Sequence, residues 1–236
     1  MVWIPGGGFV VGSASQADWD PSLLLDRGVV FVTLQYRLGS LGFLALPAST
    51  SIGMSVLNIE KKFLLGNCVD LPKILFDWIF LNIPIAGNFG LKDQQEGLRW
   101  VQENILQFGG DPGRVTILGS GSGAVSVHCH LLSPHGEGLF QAAISQSGNL
   151  LTLYELLFNN LVEVSGLQLA ARLGCDTPDP LPCLQALPAE TLLDPAQSVQ
   201  DILIPNSDHF ISAPNIDTDS ANPFLPFDPL YQVGRK

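Results

Sequence analysis

Short apolar segments alternate with segments of helical periodicity over the first two thirds of the chain. The apolar segments are rich in β-branched and aromatic residues, which is typical of buried strands. The predicted strands are residues 1–4, 29–36, 114–118 and 142–145. The predicted helices are residues 91–108, which end at the sequence GGDP, and residues 124–132. This alternation predicts an α/β fold with a mostly parallel central sheet and flanking helices.

The remaining sequence is less regular. Residues 161–173 and 189–193 are predicted to be helical, and a loop-rich tail follows them. Residues 51–85 show neither a helical nor a strand period, although the segments on both sides would join into one surface loop. A structureless stretch of this length is unusual inside a compact domain. We therefore treat residues 51–85 as an atypical insert.

Composition excludes several classes of protein. The chain has 236 residues, of which 46% are hydrophobic and 14% charged, so we expect a folded core. The net charge of −11 disfavours nucleic acid and anionic lipid as partners. No apolar run reaches the length of a membrane span, because residues 71–85 are interrupted by proline, charged and amide residues. No basic leader precedes the first strand, so we predict no signal peptide in this chain.

The four cysteines are Cys68, Cys129, Cys175 and Cys183. None forms a CxxC pair, which argues against a zinc or thioredoxin-type site. Cys175 and Cys183 bracket a short proline-rich segment, which is typical of a small disulfide loop in an oxidising compartment. Two free thiols are the alternative.

Several segments together resemble the type-B carboxylesterases, a cholinesterase-like family. They occur in the family's order and cover most of the chain outside residues 51–85: VWIPGGGFVVGSAS, VTLQYRLGSLGFL, GNFGLKDQQEGLRWVQENI, FGGDPGRVTILG, SVHCHLLSP, LFQAAISQSG and the Cys175–Cys183 pair with PNID and NPFLPFDPL. The resemblance implies an α/β-hydrolase fold, present here in part. It also implies a secreted or membrane-tethered protein, which would suit a disulfide.

The same resemblance implies that parts of the domain lie outside residues 1–236. The family's early strands would precede Met1, and its triad acid and histidine would follow Lys236. Residues 51–85 look like extra sequence against the family pattern. They are interpreted as a retained intron or gene-model error, with a lineage-specific loop as the alternative.

The family's nucleophile is the serine at the centre of G-x-S-x-G, on a strained strand-to-helix turn. Here the turn is GSGSG, and both flanking segments place Gly121 at the nucleophile position. Ser120 and Ser122 are its neighbours and would be poor substitutes, because a one-residue step on such a turn aims the side chain elsewhere. Loss of a serine nucleophile costs on the order of 10⁶ in kcat.

The family's oxyanion loop is retained more fully than its nucleophile turn. Gly6-Gly7-Gly8-Phe9 matches the HGGG-type loop, with Pro5 in place of the usual histidine or tyrosine. The resemblance assigns the oxyanion donors to the backbone N–H groups of Gly7, Gly8 and Ser122. A tight turn without any donor role is the alternative for these glycines. Ser120 stands where active members usually have an acidic residue, and the GSG-x-G turn resembles that of the neuroligins, adhesion relatives that have lost catalysis.

Other polar residues favour structural roles. His128, His130 and His135 are close in sequence, but His128 and His130 lie on different faces of a helix, so they do not predict a metal site. His209 has no carboxylate pattern that argues for a dyad. Arg37, Asp93 and Asp111 match scaffolding positions of the family. Nothing indicates a metal, nucleotide or prosthetic group, so no cofactor is predicted.

Three hypotheses follow. The first is a non-catalytic, extracellular binding or adhesion protein whose partner is another protein. The second is a carboxylic ester hydrolase that acts on an ester substrate through Ser122 or Ser120, or in which the glycine at position 121 is an error. The third is the product of a broken gene model without a function of its own.

Overall fold

The computed structural model describes residues 1–15, 20–46, 87–153, 161–193, 211–217 and 222–229, and the backbone of residues 64–65 and 69–70. Its centre is a sheet of four parallel strands: β1 (Val2–Ile4), β2 (Val32–Thr33), β5 (Thr116–Ser120) and β6 (Ala142–Gln146). They lie in the order β2-β1-β5-β6. A separate antiparallel pair joins β3 (Leu64–Leu65) to β4 (Val69–Asp70). The predicted fold class is confirmed.

Helices cover the sheet and connect its strands. They are α1 (Ser22–Leu25), α2 (Gly39–Phe43), α3 (Phe89–Asn104), α4 (Ser122–Leu132), α5 (Leu161–Arg172) and α6 (Leu181–Ala186). Short 3-10 turns occupy Ile105–Phe108, Pro112–Arg114, Pro134–Gly136, Leu150–Leu153 and Ala189–Leu192. The main core packs the inner faces of α3 and α4 against β1 and β5, with Ile4, Leu98, Ile117 and Val127 fully buried. No helix within the described ranges is long and apolar enough to cross a membrane.

The element boundaries differ from the predictions in a few places. The predicted strand 29–36 narrows to β2, because only Val32 and Thr33 pair with β1. The predicted helix 91–108 starts earlier and tightens into the 3-10 turn that begins at Ile105. Three short helices, α1, α2 and α6, were not predicted. The turn before β5 agrees with the prediction, since the Asp111 carboxylate accepts the N–H of Gly113 at 2.8 Å.

A partly buried ion pair fixes α3 to the segment that follows β2. Nε of Arg37 lies 2.7 Å from Oδ2 of Asp93, and the second guanidinium bond, to Oδ1, is 2.8 Å long. The Arg37 guanidinium also lies over the Phe89 ring at 5.4 Å. Asp93 is only 3% exposed, so its charge depends on this bidentate partner. The geometry supports the scaffolding roles predicted for both residues.

A second, smaller core surrounds a disulfide. Cys175 and Cys183 are bonded, with their Cα atoms 5.6 Å apart, which confirms the predicted pairing over two free thiols. The bridge ties the end of α5 to α6, and Leu169, Leu181 and Leu184 pack around it. Helix α6 was missed because Pro180 and Pro182 look like loop residues, although proline is tolerated in the first turn of a helix.

The C-terminal described segments close over the helices of the main core. The Asp217 carboxylate accepts the N–H groups of Phe224 at 2.8 Å and Leu225 at 2.6 Å. Its oxygen lies 3.8 Å from the Lys92 ammonium on α3. Burial raises the pKa of Asp217 and lowers that of Lys92. This carboxylate therefore holds a local turn and fastens it to α3.

Candidate functional site

Two glycine-rich segments follow neighbouring strands and meet at one edge of the sheet. In the register of β1 and β5, Ile4 lies opposite Gly119. Because the strands are parallel, the residues after Ile4 and those after Ser120 emerge side by side at the carboxyl ends. We call residues 5–9 the glycine loop and residues 119–123 the glycine turn.

The glycine turn changes from strand to helix within a single residue. Strand β5 ends at Ser120, α4 begins at Ser122, and Gly121 between them has φ 57° and ψ −120°. Its N–H donates to the Gln146 carbonyl at 3.0 Å, and its carbonyl accepts the N–H of Val125 at 3.1 Å. A Cβ on Gly121 would meet no atom within 4 Å. The turn therefore has room for a side chain at this position but presents none.

The glycine loop and the glycine turn are in direct backbone contact. A Cβ on Gly123 would lie 2.1 Å from the Ile4 carbonyl oxygen. A Cβ on Gly6 would lie 2.2 Å from the Ser120 carbonyl oxygen. Only glycine permits this approach, so the relative position of loop and turn depends on these residues.

The two serines beside Gly121 occupy different environments. The Ser122 side chain is buried, and its oxygen accepts the N–H of Phe9 at 3.3 Å. Burial raises the pKa of the Tyr36 hydroxyl, and hydrogen bonding with the nearby Ser122 side chain acts against that rise. Ser120 is half-buried and pairs with Gln146 as the last residue of β5. The Ser122 hydroxyl therefore faces the glycine loop.

The glycine loop has the tight backbone that its composition predicts. Gly7 and Gly8 have φ values of 129° and 63°, and the Gly7 carbonyl accepts the N–H groups of Val10 and Val11 at 3.2 and 3.0 Å. Both glycines are half-buried, so their backbone is reachable from solvent. Their assignment as oxyanion donors, together with Ser122, stays a prediction, as does the alternative of a simple turn.

The arrangement can do less chemistry than a complete hydrolase site. A hydrolytic turn needs a nucleophile next to a base and a hydrogen-bonded partner for that base. Position 121 supplies no nucleophile, and the resemblance implies that a triad acid and histidine would follow Lys236. What the described residues supply is a preformed turn beside a loop of backbone N–H groups.

The histidines take separate positions. Nδ1 of His128 accepts the N–H of Leu150 at 3.1 Å, while Nε2 of His135 lies 3.1 Å from the Pro223 carbonyl oxygen. His130 is fully buried inside the core. Within the described part of the chain no group of three or more His, Cys, Asp or Glu residues could hold a metal ion. His209 and Cys68 lie outside the described residues.

The buried ring of His130 is neutral. Gln94 donates its amide N–H to Ser126, which leaves its oxygen as an acceptor for Nε2 of His130 at 3.0 Å. The other ring nitrogen, Nδ1, has no partner among the described residues, and the ring meets Phe224 edge to face at 5.2 Å. Burial lowers the pKa of His130 from 6.5 to about 3.

We expect the wild-type protein to lose stability relative to a His130→Gln variant as the pH falls from 6.5 towards 3. The unfolded chain protonates this histidine near pH 6.5, whereas the folded protein does not, so acid favours the unfolded state. The stability difference should change by up to about 1.4 kcal/mol per pH unit. Denaturant unfolding of both proteins between about pH 7 and about pH 5 measures it. Parallel stability curves would contradict a buried neutral ring.

Sequence patterns did not point to Tyr36, and they included Phe9 only as the last residue of the glycine motif. The Tyr36 hydroxyl donates to the Pro5 carbonyl at 2.7 Å, and Phe9 adopts a positive φ of 62° while its ring packs on Phe43 at 4.8 Å. The available signal was their position, because Tyr36 follows β2 and Phe9 follows β1, at the edge where a site is expected.

Comparison with known proteins places the chain in a family. The model of the carboxylesterase family matches residues 1–53 and 80–235. Juvenile hormone esterase of Tribolium castaneum is 36% identical over 98% of this chain and 34% of its own length. Acetylcholinesterase of Myxine glutinosa is 35% identical over 92% of this chain and 55% of its own length.

A relative that is not named as an esterase matches equally well. Neuroligin-2 of Homo sapiens is 35% identical over 99% of this chain and 23% of its own length. The chain thus spans about a third of the length of the first relatives, with values from 23% to 55%. The family match over both glycine segments, the parallel sheet and these identities agree, and the chain belongs to the carboxylesterase family.

Proposed function

We propose that this protein is a catalytically silent carboxylesterase-family member that serves, in its full form, as an extracellular binding or adhesion protein. The observation that carries the proposal is Gly121. The turn that should present a nucleophile has the required backbone and open space above it, yet has no side chain there. A serine hydrolase without its nucleophile loses on the order of 10⁶ in kcat.

The neighbouring serines are poor replacements. The Ser122 hydroxyl is committed to Phe9 and Tyr36, and neither group is a base. Burial raises the pKa of Tyr36, so its phenol stays protonated and cannot take a proton from Ser122. Ser120 is the last residue of β5 and does not lie at the apex of the glycine turn. The environments of these two serines support a lack of catalysis rather than a nucleophile moved to position 120 or 122.

Two features support a binding role outside the cell. The Cys175–Cys183 disulfide is of the kind that persists in oxidising compartments. The GSG-x-G turn resembles that of the neuroligins, which are adhesion relatives, and neuroligin-2 is as similar to this chain as the esterases are. We therefore propose an extracellular protein as the partner.

We also propose that residues 1–236 are part of a larger domain, with residues 51–85 added to the family pattern. The family match omits residues 54–79, and the relatives are longer than this chain. Sequencing the transcript across this stretch tests the proposal. A transcript that carries the stretch in frame would overturn an intron or gene-model origin and leave the lineage-specific loop.

The second candidate function is ester hydrolysis through Ser122 or Ser120. The kept glycine loop and the esterase names among the relatives favour it. A fluorophosphonate probe applied to the full-length protein separates the two functions, because it labels only an activated serine. We expect no labelling and no hydrolysis of a short-chain aryl ester above background.

An active esterase of the family, treated in parallel, shows that the probe works. Labelling of the wild-type protein that disappears in a Ser122→Ala or Ser120→Ala variant would identify the acting serine. That result would overturn the proposed lack of catalysis and identify a hydrolase whose nucleophile is Ser122 or Ser120.

A further inference from the structure

The glycine loop is bounded by two backbone groups that are both held by side chains from elsewhere in the chain. At its start the Pro5 carbonyl accepts the Tyr36 hydroxyl at 2.7 Å. At its end the Phe9 N–H donates to the Ser122 oxygen at 3.3 Å. Between these points lie Gly6, Gly7 and Gly8, whose lack of Cβ atoms leaves the backbone free to change conformation.

The two side chains also contact each other, which connects the ends of the loop. Ser122 and Tyr36 share a side-chain hydrogen bond, and both residues are buried. A continuous path therefore runs from the Phe9 N–H through the Ser122 hydroxyl and the Tyr36 hydroxyl to the Pro5 carbonyl. Bonds in such a buried chain reinforce one another, and each member is costly to leave without a partner.

The loop end at Phe9 is strained and is held from other directions as well. A positive φ of 62° is unfavourable for a residue with a Cβ atom. The Phe9 carbonyl accepts the N–H of Gly39 at 2.8 Å and the Ser212 hydroxyl at 3.2 Å. Such strain persists only where the surroundings determine the conformation. The Ser122 oxygen is the acceptor on the N–H side of this strained residue.

We propose that Ser122 and Tyr36 are positioning residues that form a clamp across both ends of the glycine loop and preset the direction of its backbone N–H groups. The clamp gives Ser122 a role other than nucleophile. The clamp would orient the loop N–H groups toward the oxygen of any bound ligand. The proposal therefore does not depend on whether the site hydrolyses esters.

Hydrogen exchange of the loop tests the clamp in the full-length protein. We expect Ser122→Ala and Tyr36→Phe each to accelerate exchange of the Phe9 amide, which donates to Ser122, by roughly tenfold. The double variant should exchange no faster than the faster single variant, because the two side chains act as one unit.

Ser126→Ala is the matched control. Ser126 is a buried serine one turn further along α4, and its oxygen accepts a hydrogen bond from Gln94 instead of from the loop. This variant also removes a buried hydroxyl, and the loop should exchange as in the wild type. If Ser122→Ala does not fold, Tyr36→Phe alone carries the comparison.

Two outcomes would overturn the proposal. One is loop exchange in Tyr36→Phe or Ser122→Ala that matches Ser126→Ala at comparable global stability. The other is additive acceleration in the double variant, which would show two independent contacts. Fluorophosphonate labelling of the wild-type protein would overturn the proposed silence and leave the clamp standing.

Discussion

A Gly123→Ala variant is expected to fail to reach the native fold. The added Cβ would lie 2.1 Å from the Ile4 carbonyl oxygen and 3.1 Å from the carbonyl carbons of Ile4 and Pro5. These atoms belong to the backbone of β1 and the glycine loop, so they cannot move aside without disturbing the centre of the sheet. Helix propensity acts in the opposite direction, because alanine is better than glycine in a helix by about 1 kcal/mol.

The steric cost of the added Cβ is larger than the gain in helix propensity. Overpacking a closely packed site costs about 1–3 kcal/mol when side chains can adapt, and here the contact is with backbone. We expect a loss above about 4 kcal/mol, a large share of the stability of a typical domain. Circular dichroism and denaturant unfolding of the soluble fraction measure it.

Gly121→Ala is the matched control two residues earlier. Its Cβ would meet no atom within 4 Å, so only the backbone conformation at φ 57° opposes it. The expected cost is about 1–3 kcal/mol, and the variant should remain folded. A Gly123→Ala variant as stable as Gly121→Ala would contradict the contact between helix α4 and β1.

The central elements could be predicted because their patterns are local. The apolar periodicity that follows Leu91 marks α3, and the run from Val115 to Leu118 marks β5. Parallel pairing of β1 and β5 then brings the glycine loop and the glycine turn together. The Cys175–Cys183 pairing followed from a short spacing, which closes a loop at little entropic cost.

The rest depends on contacts between distant parts of the chain. Helix α6 was missed because its prolines were taken as loop signals, whereas packing of Leu181 and Leu184 around the disulfide stabilises it. The proposed clamp joins Tyr36, which follows β2, to Ser122 at the start of α4. The burial of His130 depends on Gln94 and Phe224, which no periodicity brings together.

The proposed loss of the nucleophile concerns a single residue, Gly121. Gly121 keeps the φ and ψ of the turn, its carbonyl still caps α4 through Val125, and the space above it is open. The Cβ of a serine at this position would meet no neighbouring atom within 4 Å. It would pay the cost of a positive φ, about 1–3 kcal/mol.

We therefore expect a Gly121→Ser variant of the full-length protein to become labelled by a fluorophosphonate, whereas the wild type does not. The resemblance implies that the glycine loop supplies oxyanion donors for such a hydroxyl and that the histidine and acid follow Lys236. The upper bound on the gain in ester hydrolysis is about 10⁶, the cost of removing such a nucleophile.

The Gly121→Ala variant separates chemistry from folding, since it has the same backbone strain without a hydroxyl. It should stay unlabelled, and a Gly121→Ser/Ser120→Ala variant should be labelled as Gly121→Ser is. A folded but unlabelled Gly121→Ser variant would show that silence extends beyond this residue, to the base, the acid or the donors of the glycine loop. In that case Gly121 would be one of several losses, because a nucleophile without its base and oxyanion donors gives little rate.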